Sequence, residues 1–251
     1  MFKTVDFYYF SPTGGTKKAG AALASAIAET VHEVNLAEGT VPNPCSDTVV
    51  VTAPVFAGRI PAFVSDKLRR LDGSGKKAIT AVVYGVRAYD DALLELNDVL
   101  RDRGFEVIAS AALIAQHSIV PQVGAGRPDE ADLEDIRQFA NRILRVVEDG
   151  KTGVVSVPGN RPYREVKNGS VTPITLSDCH VCGHCASVCP TEAIAVTSEG
   201  IVTDVDACMM CMACVAGCPT KTRILPPSHQ ERLTQLLSAF QDLRRDNEFY
   251  L

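Results

Sequence analysis

The 251-residue chain contains no tryptophan, and aromatic residues make up only 6% of it. Its core must therefore be packed from Ala, Val, Leu and Ile. No apolar run approaches the roughly 18–20 residues of a membrane span, and Asp6 comes too early for a signal peptide. A basic excess is missing too. The 25 Lys and Arg stand against 30 Asp and Glu, and the net charge of −5 leaves no footprint for nucleic acid. With 46% hydrophobic residues the composition argues against wholesale disorder. At roughly 100–200 residues per domain, the length suits one large domain or two smaller ones. These absences predict a cytoplasmic protein without a membrane span or a nucleic-acid partner.

Cysteine is scarce in one part of the chain and dense in another. Residues 1–150 hold only Cys45, among Pro42, Pro44 and Ser46, where an incidental thiol is expected. The other eight fall between Cys179 and Cys218. A reducing compartment makes structural disulfides poor candidates, so metal ligation is expected. The spacing is Cys179-x-x-Cys182-x-x-Cys185-x-x-x-Cys189-Pro190, repeated as Cys208-x-x-Cys211-x-x-Cys214-x-x-x-Cys218-Pro219. Zinc usually takes two separated pairs of ligands, so a triple run with a remote Cys-Pro is the wrong arithmetic for it. His180 and His184 lie inside the first run and are expected to act by hydrogen bonding or solvation, or to face solvent.

The first 150 residues alternate between two periodicities. Strands are expected at Thr4–Phe10, Glu33–Leu36, Thr48–Val55, Ala78–Val86 and Phe105–Ala115. Helices are expected at Lys17–Glu29, Pro61–Leu71, Asp90–Arg103 and Asp129–Glu148, the last with Asp129 as N-cap. The third and fourth strands are continuous apolar runs, as in a parallel sheet covered on both faces. The fold class is therefore α/β, an open doubly wound sheet of five strands. Lys151–Leu176 is different, with Gly153, Gly159, Gly169, Pro158, Pro162 and Pro173 and no clear period, so it reads as a linker or docking segment. Ser228–Asn247 is expected to form a final amphipathic helix. The organisation is 1–150, a linker at 151–174, the cysteine region at 175–226, and a C-terminal helix at 227–251.

Between the first strand and helix lies Ser11-Pro12-Thr13-Gly14-Gly15-Thr16. Hydroxyls alternate there with positions where backbone can approach closely, and the loop ends at a helix N-terminus, which suits a phosphate dianion. It matches neither Walker A nor G-x-G-x-x-G, and without an arginine or a metal it suits a static phosphate monoester.

Two resemblances follow from these motifs. The cysteine region, about Thr175–Leu225, resembles the two-cluster 4Fe–4S ferredoxins, in which three cysteines of a run hold one cubane and the fourth holds the other. That resemblance implies one cluster on Cys179, Cys182, Cys185 and Cys218, and a second on Cys208, Cys211, Cys214 and Cys189. The halves Ile174–Val196 and Ile201–Leu225 are each expected to be a loop, a short helix and a short hairpin. The loop S-x-T-G-x-T resembles the phosphate loop of flavodoxins, which implies FMN bound through Ser11, Thr13, Gly14, Gly15 and Thr16, and a sheet of order 2-1-3-4-5. It further implies a flavin ring between Pro54-Val55-Phe56-Ala57-Gly58-Arg59 and Gly85-Val86-Arg87-Ala88-Tyr89-Asp90, with Phe56 and Tyr89 as candidate flanking aromatics.

The whole chain resembles the flavodoxin–ferredoxin fusion proteins of anaerobes. Three departures from simple flavodoxins stand out: the missing tryptophan, the arginines Arg59 and Arg87, and a long connection through Gln116-His117-Ser118 and Gly124–Pro128. Arg59 and Arg87 are expected to favour an anionic, two-electron-reduced flavin, the alternative being pairing with nearby carboxylates such as Asp90 or Asp91. His117 is a candidate proton donor. The expected function is electron passage between two 4Fe–4S clusters and FMN, ending on a small acceptor such as a quinone, nitro compound or enone. The alternative is a pure carrier between protein partners. No nicotinamide fingerprint is visible, and the oligomeric state is left open.

Overall fold

The computed structural model describes residues 1–166 and 171–251; Gly169 of the expected linker lies outside the described residues. Strands β1 (Phe2–Tyr9), β2 (Ala28–Asn35), β3 (Thr48–Pro54), β4 (Lys77–Tyr84) and β5 (Glu106–Ile114) are parallel and lie in the order 2-1-3-4-5. Helices α1 (Gly15–Ile27), α2 (Ala62–Leu68), α3 (Ala92–Arg101) and α4 (Glu130–Glu148) connect or follow them. All seven residues of β3 are buried, as two covered faces require. One core joins the sheet to α1 and α4 through Leu23, Ile27, Ile136 and Phe139. The other, against α2 and α3, is built on Val64, Leu68, Leu93 and Leu96. Asp129 caps α4 in a capping box with Asp132.

Three expectations need correction. Strand β2 begins at Ala28, directly after α1, rather than at Glu33. Thr30, Val31 and Val34 favour extended backbone, and Glu29 and Glu33 supply charges that protect an edge strand.

The C-terminal segment is not one helix to Asn247. Helix α7 (Pro227–Leu236) gives way to a 3-10 turn at Ser238–Phe240, and the chain ends in a strand pairing antiparallel with β5. That strand, Glu248–Tyr250, makes the sheet six-stranded by covering an edge that would otherwise expose unpaired backbone. Asn247 helps to place it, its Oδ1 accepting the Ile114 amide at 2.9 Å.

Nor does each cysteine half carry its own hairpin. Strands β6 (Ile174–Thr175) and β9 (Arg223–Ile224) pair the outer ends of the region, and β7 (Ile194–Thr197) with β8 (Gly200–Thr203) bridges the halves. The final strand is accordingly β10 (Glu248–Tyr250), and the short helices between are α5 (His184–Ser187) and α6 (Ala213–Ala216). Among the described residues no helix is long and apolar enough to cross a membrane.

The cysteine region and tail pack onto the face bearing α2 and α3. Val120 and Val123 share a core with Cys211, Ala213 and Leu237, and Gln230 donates to the Ile119 carbonyl at 2.7 Å. The described part of the linker is strapped over α3. Asp91 accepts the backbone amides of Asn160 and Arg164, each at 2.8 Å, while Asp98 takes Arg161 and Tyr163.

Candidate functional site

The loop from Ser11 to Thr16 turns the chain from β1 into α1, with Gly14 at φ +93°, a conformation that suits glycine. The first helical bond runs from the Lys18 amide to the Gly14 carbonyl at 3.0 Å, so the Gly15 and Thr16 amides lie ahead of the helical ladder. Ser11 Oγ accepts the Lys17 amide at 2.8 Å and keeps its own hydrogen to donate. Neighbouring lysines are engaged elsewhere. Lys17 pairs with Glu33 at 2.5 Å, and Lys18 donates to the Pro128 carbonyl at 2.7 Å. An anion here meets hydroxyls, amides and a helix N-terminus, a donor set that fits a phosphate monoester.

Beyond the loop, at the C-terminal ends of the parallel strands, opens a cavity of about 810 Å³. Open α/β sheets bind ligands at this end, and the volume lies in the upper part of the range for small-molecule sites. Of the residues expected around a flavin, Thr13, Gly15, Thr16, Pro54, Val55, Phe56, Ala57, Arg59, Gly85 and His117 line it. Phe63 and Asp66 of α2 and Arg69 just after it line it as well, as do Asp206 to Met210 from the cysteine region. Those were not anticipated, because only long-range packing brings them there.

Several candidates from the two ring loops are not among its lining residues. Val86 is fully buried in the core. Tyr89 is buried edge-on against Tyr84, its hydroxyl in a network with Glu248 and Tyr250 at 2.7 and 2.8 Å, so it does not flank the cavity. Gly58 is backed by Asp90 and Arg164.

The arginines follow the alternative of carboxylate pairing. Arg87 donates to Asp90 at 2.9 Å, and Asp90 also takes Arg164 at 2.5 Å. Arg59 forks onto Glu95 at 2.6 and 2.7 Å, donates to the Arg164 carbonyl at 2.9 Å and stacks on Tyr163. The reason is burial: the Glu95 side chain is only 5% exposed, and a carboxylate so placed requires a cation. Its partner is neither Asp90 nor Asp91 but a residue one helical turn further along α3.

His117 packs against Gly85, where a Cβ would lie 2.7 Å from its ring. Its Nδ1 accepts the amides of Ile119 and Val120 at 3.2 and 3.1 Å, which places the ring hydrogen on Nε2. Burial, aided by the charge of Arg87, pushes its pKa below the ordinary histidine value. At neutral pH the ring is uncharged and offers one hydrogen-bond donor rather than a spare proton.

In the cysteine region two small cavities each draw together four thiols. Cys179, Cys182, Cys185 and Cys218 line one; Cys189, Cys208, Cys211 and Cys214 line the other. Among the described residues no three of His, Cys, Asp and Glu converge on one point as a single ion would need, whereas a cubane holds its four thiolates apart. The backbone repeats with the sequence. Val181 and Met210, Gly183 and Met212, and Glu192 and Lys221 form corresponding pairs, all at positive φ.

Access varies within and between the sets: Cys182 is exposed and Cys218 buried in the first, while Cys211 and Cys214 are buried in the second, Cys211 in the core shared with the sheet. Arg223 lines both cavities with its Nε buried and unpartnered, an arrangement costing about 1–3 kcal/mol or more unless an acceptor fills it. Sulfur-rich clusters would supply such an acceptor. Cys208 belongs to its cluster cavity and also lines the 810 Å³ cavity. Cys45 is exposed in a remote loop.

The five parallel strands in order 2-1-3-4-5 define a flavodoxin-like fold, and the cysteine region appends an iron–sulfur segment to it. Residues 173–219 match the family model of the 4Fe-4S dicluster domain; the chain is a fusion of flavodoxin-like and ferredoxin-like parts. A 44-residue stretch is 48% identical to the B subunit of polysulfide reductase from Wolinella succinogenes, covering 17% of this chain and 23% of that protein. The chain thus matches less than a quarter of that curated relative's length. Among solved structures, oxidised flavodoxin 1 from Bacillus cereus aligns with 57% of this chain and 98% of its own, at 18% identity and a TM-score of 0.44. The Fusobacterium nucleatum flavodoxin bound to flavin mononucleotide gives the same coverages at 14% identity and a TM-score of 0.41.

Proposed function

We propose that this protein transfers electrons between two 4Fe–4S clusters and an FMN held within the same chain, and delivers them to a small-molecule acceptor at the flavin. The observation that carries this reading is Cys208, a candidate cluster ligand that also lines the cavity at the mouth of the sheet. When bound, the clusters supply single-electron steps, and FMN supplies a centre that exchanges electrons singly or in pairs.

The chain's own residues do the rest. Ser11, Thr13 and the first amides of α1 would hold the phosphate, Val55 and Phe56 would border the ring, and Cys208 to Met210 line the same cavity. His117 offers its Nε2 hydrogen to an acceptor in the same space. Joining both centres in one chain gives each a high effective concentration at the other. The units are residues 1–150 for the flavin and 175–226 for the clusters, joined by 151–174. Eight thiols kept for iron favour a reducing cytoplasm.

A small acceptor is favoured over a pure carrier role because the loops expected to flank the flavin line a cavity of about 810 Å³ rather than a flat surface. The likeness to the polysulfide reductase B subunit covers only 44 residues, so it leaves the acceptor open.

The test is anaerobic reduction of the reconstituted protein through its clusters while the flavin absorbance is followed. A bleaching rate independent of protein concentration is expected. A rate rising with concentration means transfer between molecules and overturns the reading. Quinone, nitro and enone acceptors in the same assay separate reductase from carrier: turnover with none of them, but with a redox protein, selects the carrier.

A further inference from the structure

The two runs align so that Cys189 corresponds to Cys218, and five residues later Ile194 corresponds to Arg223. Both positions are buried, Ile194 at 8% exposure and Arg223 at 3%. One half therefore places an aliphatic side chain where the other places a permanent cation. Ile194 lines only the cavity of Cys189, Cys208, Cys211 and Cys214, whereas Arg223 lines both cavities.

Hydroxyls fix the guanidinium. Nη1 donates to Thr175 Oγ1 at 2.8 Å on β6, and Nη2 donates to Thr203 Oγ1 on β8. Nε is buried without a partner. Thiols of both foursomes line the two cavities that this cation borders.

We infer that Arg223 is an electrostatic positioning residue for both clusters: its Nε hydrogen donates to sulfur, and its fixed charge raises both reduction potentials. The inference rests on the two-cluster reading above. Reduction adds negative charge to a cluster, and net charge and hydrogen bonds to sulfur are among the factors that set its potential. A buried cation with a free donor supplies both, and neither is available from the corresponding Ile194.

The test compares the full-length reconstituted protein with Arg223→Ile, which installs the residue of the first half, and with Arg223→Lys and Arg223→Gln. Iron and sulfide are measured first, then the cluster midpoint potentials by EPR-monitored titration. With cluster content unchanged, Arg223→Ile is expected to lower both potentials by about tenfold in the reduction equilibrium, about 59 mV for a one-electron couple. Arg223→Lys is expected to retain most of the wild-type value, and Arg223→Gln to fall with Arg223→Ile.

Unmoved potentials in loaded Arg223→Ile overturn the inference while leaving the two-cluster reading intact. Four irons or zinc in the unsubstituted protein overturn the two-cluster reading instead. Should Arg223→Ile not hold both clusters, equal potentials in the Lys and Gln variants overturn the inference. In unsubstituted protein labelled with ¹⁵N-arginine, pulsed EPR of the reduced clusters is expected to detect a coupled nitrogen, and its absence removes the hydrogen bond.

Discussion

The α/β unit and the cysteine region use different means of holding a chain together. In the first, β3 is buried along its whole length and Tyr8, Phe7, Phe10 and Phe139 are enclosed almost completely. In the second, between Ile174 and Leu225, Ala193, Ile194, Met212, Ala213 and Leu225 are the buried apolar side chains other than cysteine among the described residues, while Val196 and Val202 stand about half exposed. A segment of roughly 50 residues buries too little surface to be independently stable without a metal, a disulfide or a neighbour. Two thiol foursomes are placed to hold the first of these, and Cys211 and Ala213, which share a core with Val120 and Val123, supply the last. The difference separates apolar burial from ligation as sources of order.

The strongest way to break this comparison is to remove the iron. Loaded protein is expected to hold about eight irons and eight sulfides. Anaerobic chelation is expected to open residues 176–222 to limited proteolysis while α1 to α4 keep their helical circular dichroism. Simultaneous loss of both would show that the α/β unit also depends on the clusters.

Arg59→Ala probes the other unit. It leaves the Glu95 carboxylate buried without its cation and is expected to cost about 3–5 kcal/mol in urea unfolding, with iron content unchanged. A cost below about 1 kcal/mol would mean that solvent reaches Glu95.

The phosphate loop allows a smaller and more selective test. FMN is expected to bind at least about tenfold more tightly than riboflavin, since charge-assisted hydrogen bonds contribute about 1.5–3 kcal/mol each before desolvation. Equal affinities by calorimetry would remove the role of Ser11 to Thr16. The smallest effect belongs to Arg87→Ala. Its bond to Asp90 joins two partly exposed groups, so a stability loss under about 1 kcal/mol is expected, with the flavin midpoint potential unmoved. A shifted potential would bring Arg87 back to the flavin.

Much of the architecture is legible because its signals are local. Continuous apolar runs at β3 and β4 mark a covered parallel sheet, Asp129 precedes a clear amphipathic period, and the paired cysteine runs repeat at one spacing. Tyr89 escapes a local reading because its hydroxyl is claimed by Glu248 and Tyr250, residues far away in sequence that arrive only through β10. For Arg59, Asp90 and Asp91 are the acids nearest the loops in the motif, while the buried acid that takes it sits on α3. The C-terminal strand carries no alternation long enough to stand against the helical leucines before it.

By itself the sequence determined the strand–helix alternation, the glycine–threonine loop and the number and spacing of the thiols, since each depends on residues within a turn or two of one another. Tertiary structure decided which thiols share a cavity, that Cys208 borders the mouth of the sheet, and that a buried arginine lies between the two foursomes. Those outcomes depend on packing between segments far apart in the chain, and no local periodicity encodes where such surfaces meet.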